Sequence, residues 1–171
     1  MFPQTYFFDP QMDRFKVAEL FLKNFGENLS QDLRDEIQSQ GKSIFKIAIM
    51  ASLLEKEAKA KEEKELVSGI LWKRLEIKMP LQVDATIVYI TGKRTTRISI
   101  AETKIDSPYN TYKYLGLPLG PISNPGLESI LAAVYPKDKG NWYYLSTPEG
   151  QIIFSKTLEE HNIAKAKYLI K

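Results

Sequence analysis

Two glutamates, Glu55 and Glu57, stand where a run of apolar residues gives way to a run of charges. An acid at the mouth of an apolar surface has its charged form deprived of water, which favours the protonated state and suits a general acid near neutral pH. A spacing of two turns the side chains about 200° apart on a helix, so the two cannot act as a facing carboxylate pair. Glu57 continues the stripe of Met50 and Leu54, whereas Glu55 continues that of Ile44, Ala48 and Ala51. Periodicity leaves open which of them enters a cleft, and pairing with Lys59 and Lys61 as ordinary surface charges is the competing expectation for both.

A second group lies further on. Tyr109, Asn110, Thr111, Tyr112 and Tyr114 supply rings, amides and hydroxyls, and Gln82 with Asp84 follows Pro80 on a short segment. Flat rings that cover apolar sugar faces, beside amides that bond sugar hydroxyls, make a carbohydrate cleft; packing or a protein interface is the plainer use of the same residues. Were binding electrostatic instead, Lys93, Arg94 and Arg97 would be the contact surface. His161 is the only histidine and is expected on the surface or behind the site. With one histidine and no cysteine, thiol nucleophiles, disulfides, Cys-based zinc and His-rich metal sites are excluded, and neither metal nor cofactor is expected.

The elements that must position these residues read as α+β, with helices first and a small antiparallel sheet late. Asp9-Pro10 signals a helix start, and Phe15, Ala18, Leu22 and Phe25 give it an amphipathic face that ends at Gly26. A more exposed helix covers Leu29 to Ile37 and closes at Gly41. Ser43 caps the next, whose residues from Ile44 to Leu54 are apolar on nearly every face, as suits the middle of a core. The charges from Glu55 to Glu65 predict a solvated turn and a charged helix surface. Val67, Ile70, Leu71, Leu75 and Ile77 form another apolar face, closed by Met79-Pro80. Ser99 with Glu102 has the spacing of a capping box, so a short helix is predicted there.

Pro108 to Gly126 holds four of the nine prolines and three of the nine glycines, and reads as a long ordered loop lining the cleft. Asn124 as cap and Pro125 in the first helical position then open a helix to about Val134. Trp142–Ser146 and Gln151–Ser155 predict a hairpin about a Pro148-Glu149-Gly150 turn, and Thr157 with Glu160 opens a last helix to about Leu169.

Among the 171 residues, 24 Lys and Arg stand against 21 Asp and Glu, a net charge of +3 that makes nucleic acid a poor candidate partner. The longest charge-free stretch of the most apolar region, Ile47 to Leu54, is far short of the ~18 residues that cross a bilayer. Met1 runs straight into Phe2-Pro3-Gln4-Thr5-Tyr6 without the pattern of a signal peptide, so the chain is expected to be a piece cut from a longer protein.

At these residues the sequence resembles a family. Ala51-Ser52-Leu53-Leu54-Glu55-Lys56-Glu57-Ala58, Arg74-Leu75 with Met79 to Thr86, Ser107-Pro108-Tyr109-Asn110-Thr111-Tyr112, Gly116-Leu117-Pro118, Gly120 to Gly126, and Phe154 to Thr157 with Glu160-His161-Asn162 are similar, in that order, to the endolytic murein transglycosylases with a YceG-like domain. Ala85 stands where that family more often has Pro, and the insert from Thr91 to Thr103 is variable. The resemblance implies a single catalytic domain over 1–171, with 1–41 a helical lead-in and 42–171 the core. It implies a lyase that cuts peptidoglycan strands internally at the MurNAc-GlcNAc linkage and leaves 1,6-anhydro-MurNAc ends. The family's catalytic glutamate falls on Glu57, with Glu55, Gln82, Asp84, Tyr109, Asn110, Tyr112 and Asn124 in supporting or substrate-binding roles. Family members carry an N-terminal transmembrane helix and a LysM-like module, neither of them in this chain, so catalysis is expected outside the cytoplasmic membrane, with peptidoglycan synthases as partners. A hydrolase that uses Glu57 with Asp84, or a glycan-binding domain without catalysis, are the other readings.

Overall fold

The computed structural model describes residues 2–93 and 98–169; Arg94 and Arg97 lie outside them. In chain order the elements are α1 (Arg14–Glu27), α2 (Gln31–Ser39), α3 (Ile44–Glu57), α4 (Lys61–Glu76), α5 (Asp84–Thr91), a 3-10 turn (Glu102–Lys104), α6 (Leu127–Val134), β1 (Tyr143–Ser146), β2 (Ile152–Ser155) and α7 (Leu158–Tyr168). The predicted α+β arrangement with a late hairpin is what forms. Tyr143 pairs with Ser155, Tyr144 with Phe154, Leu145 with Ile153 and Ser146 with Ile152, and Gly150 takes φ 86° in the turn between the strands. None of the described helices is long and apolar enough to cross a membrane.

α3 is the centre of the core. The Ser43 hydroxyl accepts from the Lys46 N–H, and Ile47, Ile49, Met50, Ala51, Ser52, Leu53 and Leu54 are all buried. α4 and α6 pack against it, and the Trp72 ring N–H donates to the Ala133 carbonyl at 2.9 Å, tying those two helices together. Each fully buried Leu or Ile in this cluster removes enough apolar surface from water to contribute about 2 kcal/mol. α7 follows the hairpin and is capped by the predicted box: Glu160 N–H donates to Thr157 Oγ1 while Thr157 N–H donates to Glu160.

Four expectations are corrected. Asp9 with Pro10 makes a turn, its side chain accepting from the Gln11 N–H at 2.8 Å, and α1 begins only at Arg14. The apolar face of α1 is not buried, for Phe15 is 67% exposed and Leu22 72%. Ile77 likewise faces solvent, because α4 ends at Glu76 and the chain turns away there. Ser99 and Glu102 form their reciprocal bonds, yet only a single 3-10 turn follows, since Ile105 is already extended.

Candidate active site

Glu57 is the last residue of α3, and Ala58 turns to extended backbone at φ −140°, so the acid sits at the polar rim of the apolar helix. Its partly buried side chain points toward β1 and the start of α5. The Tyr144 hydroxyl donates to Glu57 Oε2 at 2.9 Å, and the Asp84 carboxylate is near enough to act on its charge. Burial is the main reason its pKa rises to about 7, and the Asp84 carboxylate adds to it; bonds from Tyr144 and the Ala85 N–H act the other way. Its position at a helix C-terminus, where negative charge is disfavoured, works in the same direction as burial.

Glu55 has a different environment. The Gly126 N–H donates to its Oε2 at 3.1 Å, Ser129 donates its hydroxyl, and Lys64 stands 3.5 Å away. Gly126 has no side chain with which to cap α6, so a carboxylate from α3 takes the place of the cap. This also corrects the expectation for Asn124 and Pro125: the helix starts at Leu127, and Asn124 is exposed. Burial pushes Glu55 up, but Ser129, Gly126 and Lys64 outweigh it and hold it below the usual carboxylate range. The two glutamates two residues apart are thus pushed in opposite directions.

Lys59 and Lys61 pair with neither of them. The charged run is not wholly solvated, because Lys64 and Glu65 are buried, Lys64 beside Glu55 and Glu65 with Lys137 at 2.6 Å. Glu55→Ala strands a lysine side chain only 8% exposed and removes the α6 cap. A loss of about 2 kcal/mol in urea unfolding is expected, with turnover per folded molecule nearly unchanged.

Asp84 opens α5, an element that the sequence reading left as an unassigned short segment. The Tyr112 hydroxyl donates to Asp84 Oδ1; desolvation raises the Asp84 pKa, and burial together with this contact pushes that of Tyr112 well up. A buried threonine network places this start of α5. The Val83 N–H donates to Thr111 Oγ1 at 3.0 Å, Thr86 Oγ1 meets Thr111 Oγ1 at 3.0 Å, and the Gln82 N–H donates to the Thr111 carbonyl at 3.1 Å. Gln82 is held at φ 52°, a left-handed conformation that costs a residue with a side chain on the order of 1 kcal/mol, and its side chain is exposed.

Side-chain bonds within the loop and to α3 hold the segment from Pro108 to Gly126. Asn110 is buried; its Nδ2 donates to the Thr103 and Ile105 carbonyls at 3.1 and 2.7 Å and its Oδ1 accepts from the Tyr112 N–H at 2.9 Å, so its amide is engaged by the loop's own backbone. Buried Ser52 on α3 accepts from the Ile122 N–H at 3.0 Å, and its carbonyl accepts from Ser123, which stitches the far end of the loop to α3. Tyr109 packs on Tyr89, ring centres 4.9 Å apart, and closes over Gly120.

Glu57 was expected in the cleft between the apolar helix and this loop, facing Gln82 and Tyr109. On the loop it is Tyr112 that feels the charge of Glu57, and the hairpin's Tyr144 donates to Glu57 directly, a residue that the sequence reading missed although its alternation with Tyr143 in a β-run offered the signal. A cleft of about 410 Å³ opens beside the pair of Asp84 and Tyr112, lined by Gln82, Thr103, Lys104, Tyr112 and Lys113; Glu57 is not in that lining and shares Tyr112 with it as a neighbour.

His161 is buried against Tyr143, ring centres 5.2 Å apart, and not on the surface; burial lowers its pKa. Lys93 pairs with Glu102. Among the described residues no group of three or more His, Asp or Glu is placed to hold a metal ion.

Residues 1–167 match the YceG-like family. The chain is 39% identical over 170 residues to an endolytic murein transglycosylase of Bacillus subtilis, covering 99% of this chain and 47% of that protein. It is 32% identical over 175 residues to one of Streptococcus pneumoniae strain D39, covering 99% of this chain and 32% of the relative. The chain therefore spans about half or less of the length of these relatives. A crystal structure of a YceG-like protein from Listeria monocytogenes superposes with a TM-score of 0.88 at 37% identity, over 96% of this chain and 54% of that one. Identity of this order along almost the whole chain, with the same fold beneath it, shows that the chain belongs to the YceG-like family.

Proposed function

We propose that this chain is the catalytic part of an endolytic lytic transglycosylase acting on peptidoglycan strands, with Glu57 as the reacting acid. One observation carries the reading: of the two glutamates at the rim of the apolar helix, only Glu57, buried and bonded by Tyr144, has its pKa raised, to about 7, so that near neutral pH it is present in both protonated and ionised forms. The names of the relatives from Bacillus subtilis and Streptococcus pneumoniae support the substrate class.

Protonated Glu57 gives its proton to the glycosidic oxygen, and the bond from that oxygen to C1 of MurNAc breaks. The carboxylate so formed takes the proton of the C6 hydroxyl of the same sugar, whose oxygen then bonds to C1. The proton count balances, Glu57 ends protonated, and neither water nor a second acid is consumed. Tyr144 holds the orientation of the carboxyl through each state, and Asp84, fixed by Tyr112, keeps its affinity for the proton high. On this reading the chain acts outside the cytoplasmic membrane, where murein is.

Asp84 beside Glu57 also gives a hydrolase a second carboxylate to use. Digestion of purified glycan strands and mass analysis of the products separates the readings. Anhydro ends support the lyase; reducing ends sink it in favour of hydrolysis; no new ends, with binding retained, leave a binding domain. Tyr112→Phe removes the donor to Asp84 and is expected to lower kcat/KM by about tenfold, measured on strands of fixed length.

A further inference from the structure

Arg74, on α4, is only 5% exposed, and its guanidinium reaches main chain at two places. Nη1 donates to the Leu81 carbonyl at 2.8 Å; Nε and Nη2 both donate to the Trp142 carbonyl, at 3.1 and 2.7 Å. Leu81 lies three residues before Asp84, and Trp142 two residues before Tyr144. The two segments that carry the neighbours of Glu57 are therefore held by one planar group. Its charge lies over the Tyr143 ring, 5.4 Å from the ring centre, and acts on the hydroxyls of Tyr144 and Tyr112. A buried charge satisfied by carbonyls of two separate segments is a clamp, and the fork of donors that makes it is something an ammonium cannot copy.

We propose that Arg74 is a positioning residue: it fixes the separation of the Tyr144 strand and the Asp84 segment, and so keeps water out of the gap that holds Glu57. The inference rests on the reading of Glu57 as the reacting acid. It gives Arg74 no contact with substrate. The groups that face Glu57 are Tyr144 from β1, Asp84 from α5 and Tyr112 from the loop, and Lys165 of α7 acts on Asp84. If the clamp opens, those groups separate, solvent enters, and Glu57 ionises more readily.

Arg74→Lys keeps the charge and loses the fork. Two readouts are taken: kcat and KM on glycan strands, and the titration of Glu57 followed by carbon-13 NMR of its carboxyl. The expected result is a kcat lower by about tenfold or more with KM within about twofold, as for a small misplacement of reacting groups. The Glu57 titration midpoint is expected to fall by about one unit or more toward the ordinary glutamate range. Leu33→Ala, in α2 and remote from these contacts, is the control for lost stability, and it should leave both readouts unchanged at a comparable loss of Tm.

An Arg74→Lys protein that stays folded and behaves as the control overturns the proposal. Should that variant not fold, the same readings are made on Arg74→Gln; failure of both to fold leaves Arg74 a purely structural residue and overturns it equally. Full activity in Glu57→Gln instead sinks the catalytic reading, while the NMR titration still decides whether Arg74 shapes the surroundings of Glu57.

Discussion

Glu57→Gln is expected to lower the rate of strand cleavage about a thousandfold or more, with the fold intact. A positioned acid or base contributes roughly 10²- to 10⁴-fold, and in the proposed mechanism one carboxyl serves as both, so the upper part of that range applies. A thousandfold corresponds to about 4 kcal/mol of barrier. The amide keeps the shape of the side chain and can still accept from Tyr144, which is why the loss is chemical and not structural. Release of anhydro ends, followed by mass spectrometry against Glu55→Gln, makes the comparison. Glu55 is engaged by Gly126, Ser129 and Lys64, so its replacement should alter turnover a fewfold at most. An active Glu57→Gln beside an inactive Glu55→Gln would reverse the assignment. In the parent protein the alkaline limb of kcat/KM is expected near 7, because the proton to be donated is lost as pH rises through that value.

What the sequence made legible was what short-range rules determine. The apolar run from Ile44 to Leu54 could only be a core helix, the Ser43 and Thr157 caps formed, and the hairpin fell within a residue of its place. The failures lie where distant chain decides. Lys64 looks like any surface lysine in an alternating run, and it is buried because Glu55 and the start of α6 meet it there. α5 escaped notice because its residues from Ala85 to Ile90 lack a polar face, and because its start depends on Thr111 and Arg74, both remote in sequence. The split of roles between Glu55 and Glu57 was not readable from periodicity, since the helix supplies only directions. What stands in each direction, a helix start for one and a tyrosine with a second carboxylate for the other, comes from tertiary packing. The resemblance had named Glu57, and the packing supplies a physical ground for that choice.

The same burial that raises the pKa of Glu57 should weaken the fold as pH rises from about 4.5 to about 7, and Glu57→Gln should recover the loss. In the unfolded chain the carboxyl titrates near the ordinary 4.5, and in the folded protein near 7. Below the lower value both states hold the proton and Glu57 imposes no penalty. As pH rises between the two values the unfolded state releases its proton first, so stability falls by about 1.4 kcal/mol per unit and levels off above the upper value. The full difference is at most about 3.5 kcal/mol, a large part of the 5 to 15 kcal/mol that holds a typical domain together. Gln has no proton to lose. Urea midpoints for the two proteins should therefore lie close together at about pH 4.5 and diverge toward pH 8 in favour of the variant. Every other titrating group is common to both, so its contribution cancels, except that of Asp84, which loses an ionised neighbour in the variant and changes the result in the same direction. A difference that stays flat from pH 4.5 to 8 would mean that Glu57 meets water in the folded protein as freely as in the unfolded one. The reacting acid would then have to be sought elsewhere.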